Sequence, residues 1–163
     1  MYIRDATLQD LTAIVNIYNS TISDRTATAD TEPVTVESRL SWLQNRDFRY
    51  RPVWVIEANG EVTGWLSFNN FYGRPAYART AEISIYIGER YRGRGFGTHL
   101  IKRAIAFSPQ LQIKNLLGFI FAHNQPSLNL FQKHGFTQWG LLPQIARLDE
   151  TERDLVILGL KVN

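Results

Sequence analysis

Three observations in the 163-residue sequence predict a mixed α/β fold with a mostly antiparallel sheet flanked by helices. The first is the order of elements, β-α-α-β-β-β-α-β-α-β-β, which lacks the alternating βαβ rhythm of a doubly wound nucleotide fold. The second is Asn59-Gly60 between two β-rich runs, the favoured dipeptide of a tight hairpin turn, which makes the strands it joins antiparallel. The third is composition. The chain is 44% hydrophobic and 20% charged, with no internal repeat, low-complexity tract or linker, so residues 1–163 read as one domain with a sizeable core.

Each element follows from local chemistry. "MYIRDA" has the pattern of a short edge strand. "TLQDLTAIVNIYNSTI" places Leu8, Leu11, Ile14, Val15 and Tyr18 at helical spacing behind Thr7 as N-cap. "SDRTATADTEP" is polar and irregular, a loop long enough to lid a small site. "TVESRLSWLQNR" is a second helix opened by a Thr-x-x-Ser cap. "PVWVIEANGEVTGWLSFNNF" is the hairpin, and "YARTAEISIYIGERY" has the alternation and β-branching of another strand. A helix over residues 95–107 must end near Pro109. "IKNLLGFIFAHN" reads as a buried strand. "QPSLNLFQKHGF" reads as a short helix with Pro126 in its first turn and Gly135 at its exit. "GLLPQIARL" and "ERDLVILGLKV" close the chain as a second hairpin.

Composition also excludes. There is no cysteine, hence no disulfide, thiolate nucleophile or thiolate metal site. No apolar stretch approaches the roughly 20 residues that span a bilayer, and "MYIRDATLQD" lacks a secretory core, so a cytoplasmic protein without membrane contact is expected. The formal charge of +3 is scattered, with Arg90, Arg92 and Arg94 the one tight cluster. That suits a small polyanion better than a nucleic acid. His99, His123 and His134 have no ligand spacing, and no metal is expected.

The arginine cluster lies in "YRGRGFGTHL", where glycines meet cations at a helix start. Glycine admits positive φ and close approach, while unpaired N–H groups and the helix dipole favour an anion. This is a phosphate cradle by its chemistry. A mononucleotide loop would need a lysine before its last Ser or Thr, and a dinucleotide loop would need an early βαβ unit. Neither is present. The loop Arg92-Gly93-Arg94-Gly95-Phe96-Gly97 instead resembles the acyl-CoA pyrophosphate loop of the GNAT superfamily of N-acyltransferases. "NQPSLNLFQKHGF" is similar to a second segment of that superfamily, and the element order matches over essentially the whole chain. "FYGRPAYARTAEISIYI" and "GLLPQIARLDETERDLVILGLKV" narrow the resemblance to its phosphinothricin-acetyltransferase-like branch, through Arg74, Tyr77, Thr80, Glu82, Ser84 and Tyr86.

The resemblance implies a GNAT fold and acetyl-CoA as co-substrate. It also implies a small amino-acid-like amine as acceptor and a homodimer, with which aromatic residues near Phe71 and Tyr72 are compatible. N–H groups of Arg94, Gly95, Gly97 and Thr98 would take the pyrophosphate, with Arg92 and Arg94 adding charge. Main chain at Ile85, Tyr86 and Ile87 would meet the thioester arm through a bulge in β-structure that "EISIYI" does not itself signal. Glu82 would take the ammonium proton, unless it is an ordinary salt-bridged strand glutamate; alternation puts Ser84 and Tyr86 on its side, and Ile83, Ile85 and Ile87 on the core side. Arg74, Tyr77 and Thr80 would contact substrate, although Arg74 could equally serve a structural ion pair. Asn124 and Asn129 would contact the cofactor, with helix capping the competing role of Asn124. One departure stands out: Phe131 occupies a position where many superfamily enzymes carry a proton-donating tyrosine. Two other functions remain open, acetylation of a protein or peptide amine and a non-catalytic acyl-CoA-binding module.

Overall fold

In the computed structural model, which describes residues 1–163, seven strands form one sheet in the order β1-β2-β3-β4-β5-β7-β6. The strands are β1 (Tyr2–Asp5), β2 (Val53–Ala58), β3 (Glu61–Asn70), β4 (Thr80–Ile87), β5 (Asn115–Phe121), β6 (Thr137–Leu148) and β7 (Thr151–Lys161). All neighbours are antiparallel except β4 and β5. The helices are α1 (Leu11–Ser20), α2 (Val36–Gln44), α3 (Phe96–Phe107) and α4 (Gln125–Lys133). This is the mixed, mostly antiparallel architecture expected, and no helix is long and apolar enough to cross a membrane.

Local chemistry accounts for the joints. Asn59 and Gly60 both take positive φ, at 53° and 79°, as a two-residue hairpin turn demands. Thr35 accepts the Ser38 N–H at 3.1 Å and caps α2. Thr7 is held by Asp10, whose carboxylate accepts the Thr7 N–H at 2.7 Å; one turn of 3-10 helix then leads into α1. Asp10 also receives both terminal nitrogens of Arg4, tying β1 to the start of α1. β6 runs longer than its sequence pattern suggested. Its register with β7 slips between Leu142 and Ala146, where Pro143 has no N–H to give a ladder.

Helices cover both faces of the sheet. On one face α1 and α2 bury Leu11, Ile14, Val15 and Leu43 against Val53, Val55 and Trp65. On the other, α3 and α4 bury Phe96, Leu100, Ile101 and Phe131 against Leu66, Phe68, Ala81 and Ile83. Burying one such aliphatic side chain contributes about 1.5–3 kcal/mol, so the two layers hold the sheet between them. This corrects the reading of β4 as a strand with one core side. Ile83 faces the α3–α4 layer as expected, but Tyr86, on Glu82's side, is also packed, against Trp65 and Tyr18 beneath α1. A central strand with helices above and below has no open face.

Candidate active site

β4 is the hinge of the site. It pairs with β5 only at Thr80, Ala81 and Glu82, opposite Asn115, Leu116 and Leu117. Beyond Glu82 the two strands part. Along β3 the register stays unbroken from Asn70 opposite Ala81 to Gly64 opposite Ile87. The splay therefore comes from β5 leaving β4, and the bulge expected in β4 is absent from its ladder with β3. Phe131 packs at the point of departure. Its ring lies on Gly118 of β5 so closely that a Cβ there would stand 2.6 Å from Cε1, and it fills the space beside the diverging strand.

The parity of the ladder decides which main-chain groups face the gap. Phe71 N–H donates to Thr80 C=O and Gly88 N–H to Thr63 C=O. In an antiparallel ladder this makes Glu82, Ser84 and Tyr86 the residues that exchange bonds with β3. The N–H and C=O groups of Ile85 and Ile87 point the other way, past the end of the β5 ladder. They line a groove of about 410 Å³ that continues to the glycine loop and α4.

At the far end of the groove, Gly93 and Gly95 take φ of 73° and 84°, and a Cβ on either would meet nothing within 4 Å. These glycines serve conformation; Gly97 serves packing, with Leu130 3.0 Å from where a Cβ would be. Gly95 is the N-cap of α3 and offers no side-chain cap. The N–H groups of residues 93–98 find no acceptor in the protein. They form a row of donors at a helix start, reinforced by the dipole of α3. Arg92 lines the groove beside them, whereas the Arg94 side chain turns out over the Tyr91 ring.

Glu82 is the last β4 residue in register with β5, so its carboxyl stands at the vertex of the splay. It is half-buried, accepts from the Ser84 hydroxyl at 3.4 Å and has no cationic partner. Burial raises its pKa above the ordinary carboxylate value, and the Ser84 bond offsets this only in part. Burial raises the Tyr86 phenol as well, with the nearby Tyr18 and Glu82 adding to the effect.

The other sequence candidates fall in different places. Asn124 lines the groove but caps α4, accepting Ser127 N–H at 3.3 Å, and its amide donates to Thr26 C=O at 3.1 Å. Asn129 is exposed and accepts from Gln125 at 2.7 Å, away from the groove. Thr80 accepts from Asn115 at 3.0 Å at the start of the β4–β5 pairing. Arg74 and Tyr77 line a separate depression at that end of β4, with Arg51 and Arg79. Sequence reasoning passed over Thr21, Asp24, Thr26 and Ala27, which roof the groove from the loop after α1. The sequence predicts that this segment lids a small site but singles out none of these residues as a contact. No group of His, Asp and Glu is arranged to hold a metal ion.

Known proteins resemble this chain in sequence and in fold. The acetyltransferase (GNAT) family profile matches residues 14–136. YwnH of Bacillus subtilis, provisionally named a phosphinothricin acetyltransferase, is 52% identical over 164 residues, covering 100% of both chains. The L-methionine sulfoximine/L-methionine sulfone acetyltransferase of Salmonella typhimurium is 30% identical over 163 residues, 100% of this chain and 95% of that one. Among solved structures, yncA of Salmonella typhimurium, determined with its cofactor acetyl-CoA, superposes with a TM-score of 0.93 at 30% identity, covering 99% and 94% of the two chains.

Proposed function

The chain belongs to the GNAT acetyltransferase family, an N-acetyltransferase with acetyl-CoA as co-substrate, and from that premise we propose that it acetylates the amino group of a small amino acid of the methionine sulfone, methionine sulfoximine or phosphinothricin type by direct transfer. The observation that carries this reading is Glu82 at the vertex where β4 and β5 part. There a carboxyl of raised pKa stands next to main chain with unpaired donors.

The residues divide the work. The N–H row at 93–98 and the Arg92 guanidinium hold the pyrophosphate. Ile85 and Ile87 bond the pantetheine arm as a strand would, in the place β5 vacates, and Tyr86 lies between them. Glu82 accepts the ammonium proton, freeing the nitrogen lone pair to attack the thioester carbon. A base of raised pKa suits this task near neutral pH and is typically worth about 10²–10⁴ in rate. As the C–N bond forms, the carbonyl oxygen gains charge, and one main-chain N–H aimed at it is worth about 2.7–4 kcal/mol. Phe131 donates no proton, so the thiolate leaves on its own; a thiol pKa near 8.5 allows that. Arg74 and Tyr77, with Thr80, take the acceptor's carboxylate side. Asn124 holds the roof loop by its Thr26 bond. The contact proposed for Asn129 would use its amide nitrogen, which the Gln125 bond leaves free.

The pinned roof favours a small acceptor over a peptide. His123 Nε2 bonds the Arg25 carbonyl at 2.7 Å, and Arg25 pairs with Asp149 at 3.1 Å, so the loop is held over the gap between β4 and β5, which Thr26 and Ala27 line beside Ser84. A homodimer is supported by exposed Tyr72 and Tyr77 and by Leu141 and Ile145 on edge strand β6. The test is thiol release from acetyl-CoA with a panel of amino acids, polyamines and peptides. Turnover of a carboxylate-bearing amine by wild type, lost in Glu82→Gln while acetyl-CoA binding is kept, supports the reading. Thiol release with peptides alone would replace it.

A further inference from the structure

One cavity takes no part in the cofactor's path. It holds about 150 Å³ between α1, α2 and the β3–β4 ladder, walled by Tyr18, Trp42, Trp65 and Tyr86, with Arg39 and Asn69 at its polar side. Ser84 and Tyr86 line both this pocket and the gap between β4 and β5. Ser84 is also the residue bonded to Glu82. An acceptor whose amine sits at Glu82 thus has this pocket immediately beside it.

Size and lining limit what enters. A protein cavity of this volume accommodates a ligand of benzene size, about six heavy atoms. Three of the rings pack in sequence, Trp42 on Trp65 at 5.6 Å and Trp65 on Tyr86 at 4.7 Å, so the walls are rigid and apolar. Arg39 lies over the Tyr18 ring, 5.5 Å from its centre, and makes a single 3.3 Å bond to Asp30. A guanidinium has five N–H donors, so most of its capacity is left for a ligand. Asn69, opposite Glu82 in the ladder, donates to Ser67 at 3.1 Å and accepts from Arg46 at 3.2 Å. Arg39 is therefore the one charged donor in the pocket wall, paired with Asp30 through a single nitrogen and with its other N–H groups left for a ligand.

We propose that this pocket receives the acceptor's side chain and that Arg39 sets its specificity, selecting a chain of about six heavy atoms that ends in a hydrogen-bond-accepting oxygen. A sulfone, sulfoximine or phosphinate end meets that requirement. A hydrocarbon end fits the rings but leaves the guanidinium unbonded, and a cationic end is repelled. The assignment rests on the acetyl-transfer reading above and adds to it the residue that distinguishes one acceptor from another.

The test compares kcat/KM for methionine sulfone, norleucine and lysine in wild type, Arg39→Met and Arg39→Lys, with melting temperature as a fold control. Loss of a charged hydrogen bond should lower kcat/KM for the sulfone by about ten- to a hundredfold in Arg39→Met, mainly through KM. Norleucine should change by less than about threefold, and Arg39→Lys should recover part of the sulfone loss. Trp42→Phe, which enlarges the pocket without touching the donor, should shift preference toward longer chains. If wild type acetylates the sulfone and Arg39→Met keeps the same preference over norleucine, the assignment of Arg39 is wrong while acetyl transfer stands. If wild type releases thiol with no amino acid at all, both fall.

Discussion

The Asp24 carboxylate meets the Arg92 guanidinium at 3.4 Å across the mouth of the groove, and Arg92 also donates to the Ile87 carbonyl at 3.3 Å. The cation proposed for the pyrophosphate is thus already engaged by the roof loop. Binding acetyl-CoA must share or break that pair, and Asp24 itself repels the incoming phosphates. Both partners are near half-exposed, where such a pair is worth only about 0–1 kcal/mol. Asp24→Asn should therefore tighten acetyl-CoA binding by about two- to fivefold and reduce its dependence on salt. Calorimetric titration at low and high ionic strength checks this. Weaker binding in the variant would mean that Asp24 positions Arg92 instead of competing for it.

Gly95 and Gly60 share a backbone state, φ of 84° and 79°. In each case an added Cβ has open space, so the penalty of Ala is conformational, about 1–2 kcal/mol. Gly95→Ala and Gly60→Ala should lower the melting temperature by comparable amounts. Only Gly95→Ala should also weaken acetyl-CoA binding, because its N–H belongs to the donor row at α3. Equal cofactor affinity in the two variants would detach the cradle from the cofactor.

Features that depend on neighbouring residues were legible in the sequence. Asn59-Gly60 fixed a hairpin, Thr7 and Thr35 fixed helix starts, and Gly93 and Gly95 marked a loop of positive φ ending at a helix. Features that depend on distant packing were not. Nothing in "EISIYI" shows that pairing with β5 stops after Glu82, beside the place where Phe131 of α4 packs on Gly118. Arg39 and Trp42 of α2 share a pocket with Tyr86 only because α2 packs on the sheet face that carries Trp65, so their pocket had no local signal. Asn129 is a different case. Leu128 and Phe131 define the buried face of α4, and helical spacing turns Asn129 outward, which could have been read beforehand.

Gly118 offers a direct probe of the splay. Its missing side chain admits the Phe131 ring, and an Ala there would place Cβ within 2.6–3.2 Å of three ring atoms. Phe131 is only 4% exposed and packs on Phe136 at 4.9 Å, so it has little room to retreat. Overpacking of this kind costs about 1–3 kcal/mol. Gly118→Ala should lower the melting temperature and raise the KM for acetyl-CoA together, by pushing α4 into the groove. A stability loss with KM unchanged would show that α4 and the groove are not coupled through Phe131.

As the proposed base, Glu82 would tie catalysis to stability with opposite signs. Burial raises its folded-state pKa above the value in the unfolded chain, so the folded protein binds this proton more tightly. Its stabilising contribution is full below the unfolded pKa and is lost as pH rises through the raised folded value. Above that value the ionised carboxylate remains half-buried with no cation to pair it. Glu82→Gln keeps the shape and removes the charge. Its melting temperature should exceed that of wild type at about pH 8 and match it at about pH 4. Activity runs the other way. Wild-type kcat should fall as pH drops through the raised pKa, because the base is then protonated, whereas Glu82→Gln should lose about 10²–10⁴ in rate and show no such limb. Melting curves and pH–rate profiles of the same two proteins decide the matter. A variant no more stable at about pH 8 that also retains full turnover would reduce Glu82 to an ordinary strand residue. A gain in stability paired with loss of the acidic limb would identify one carboxyl as the source of both effects.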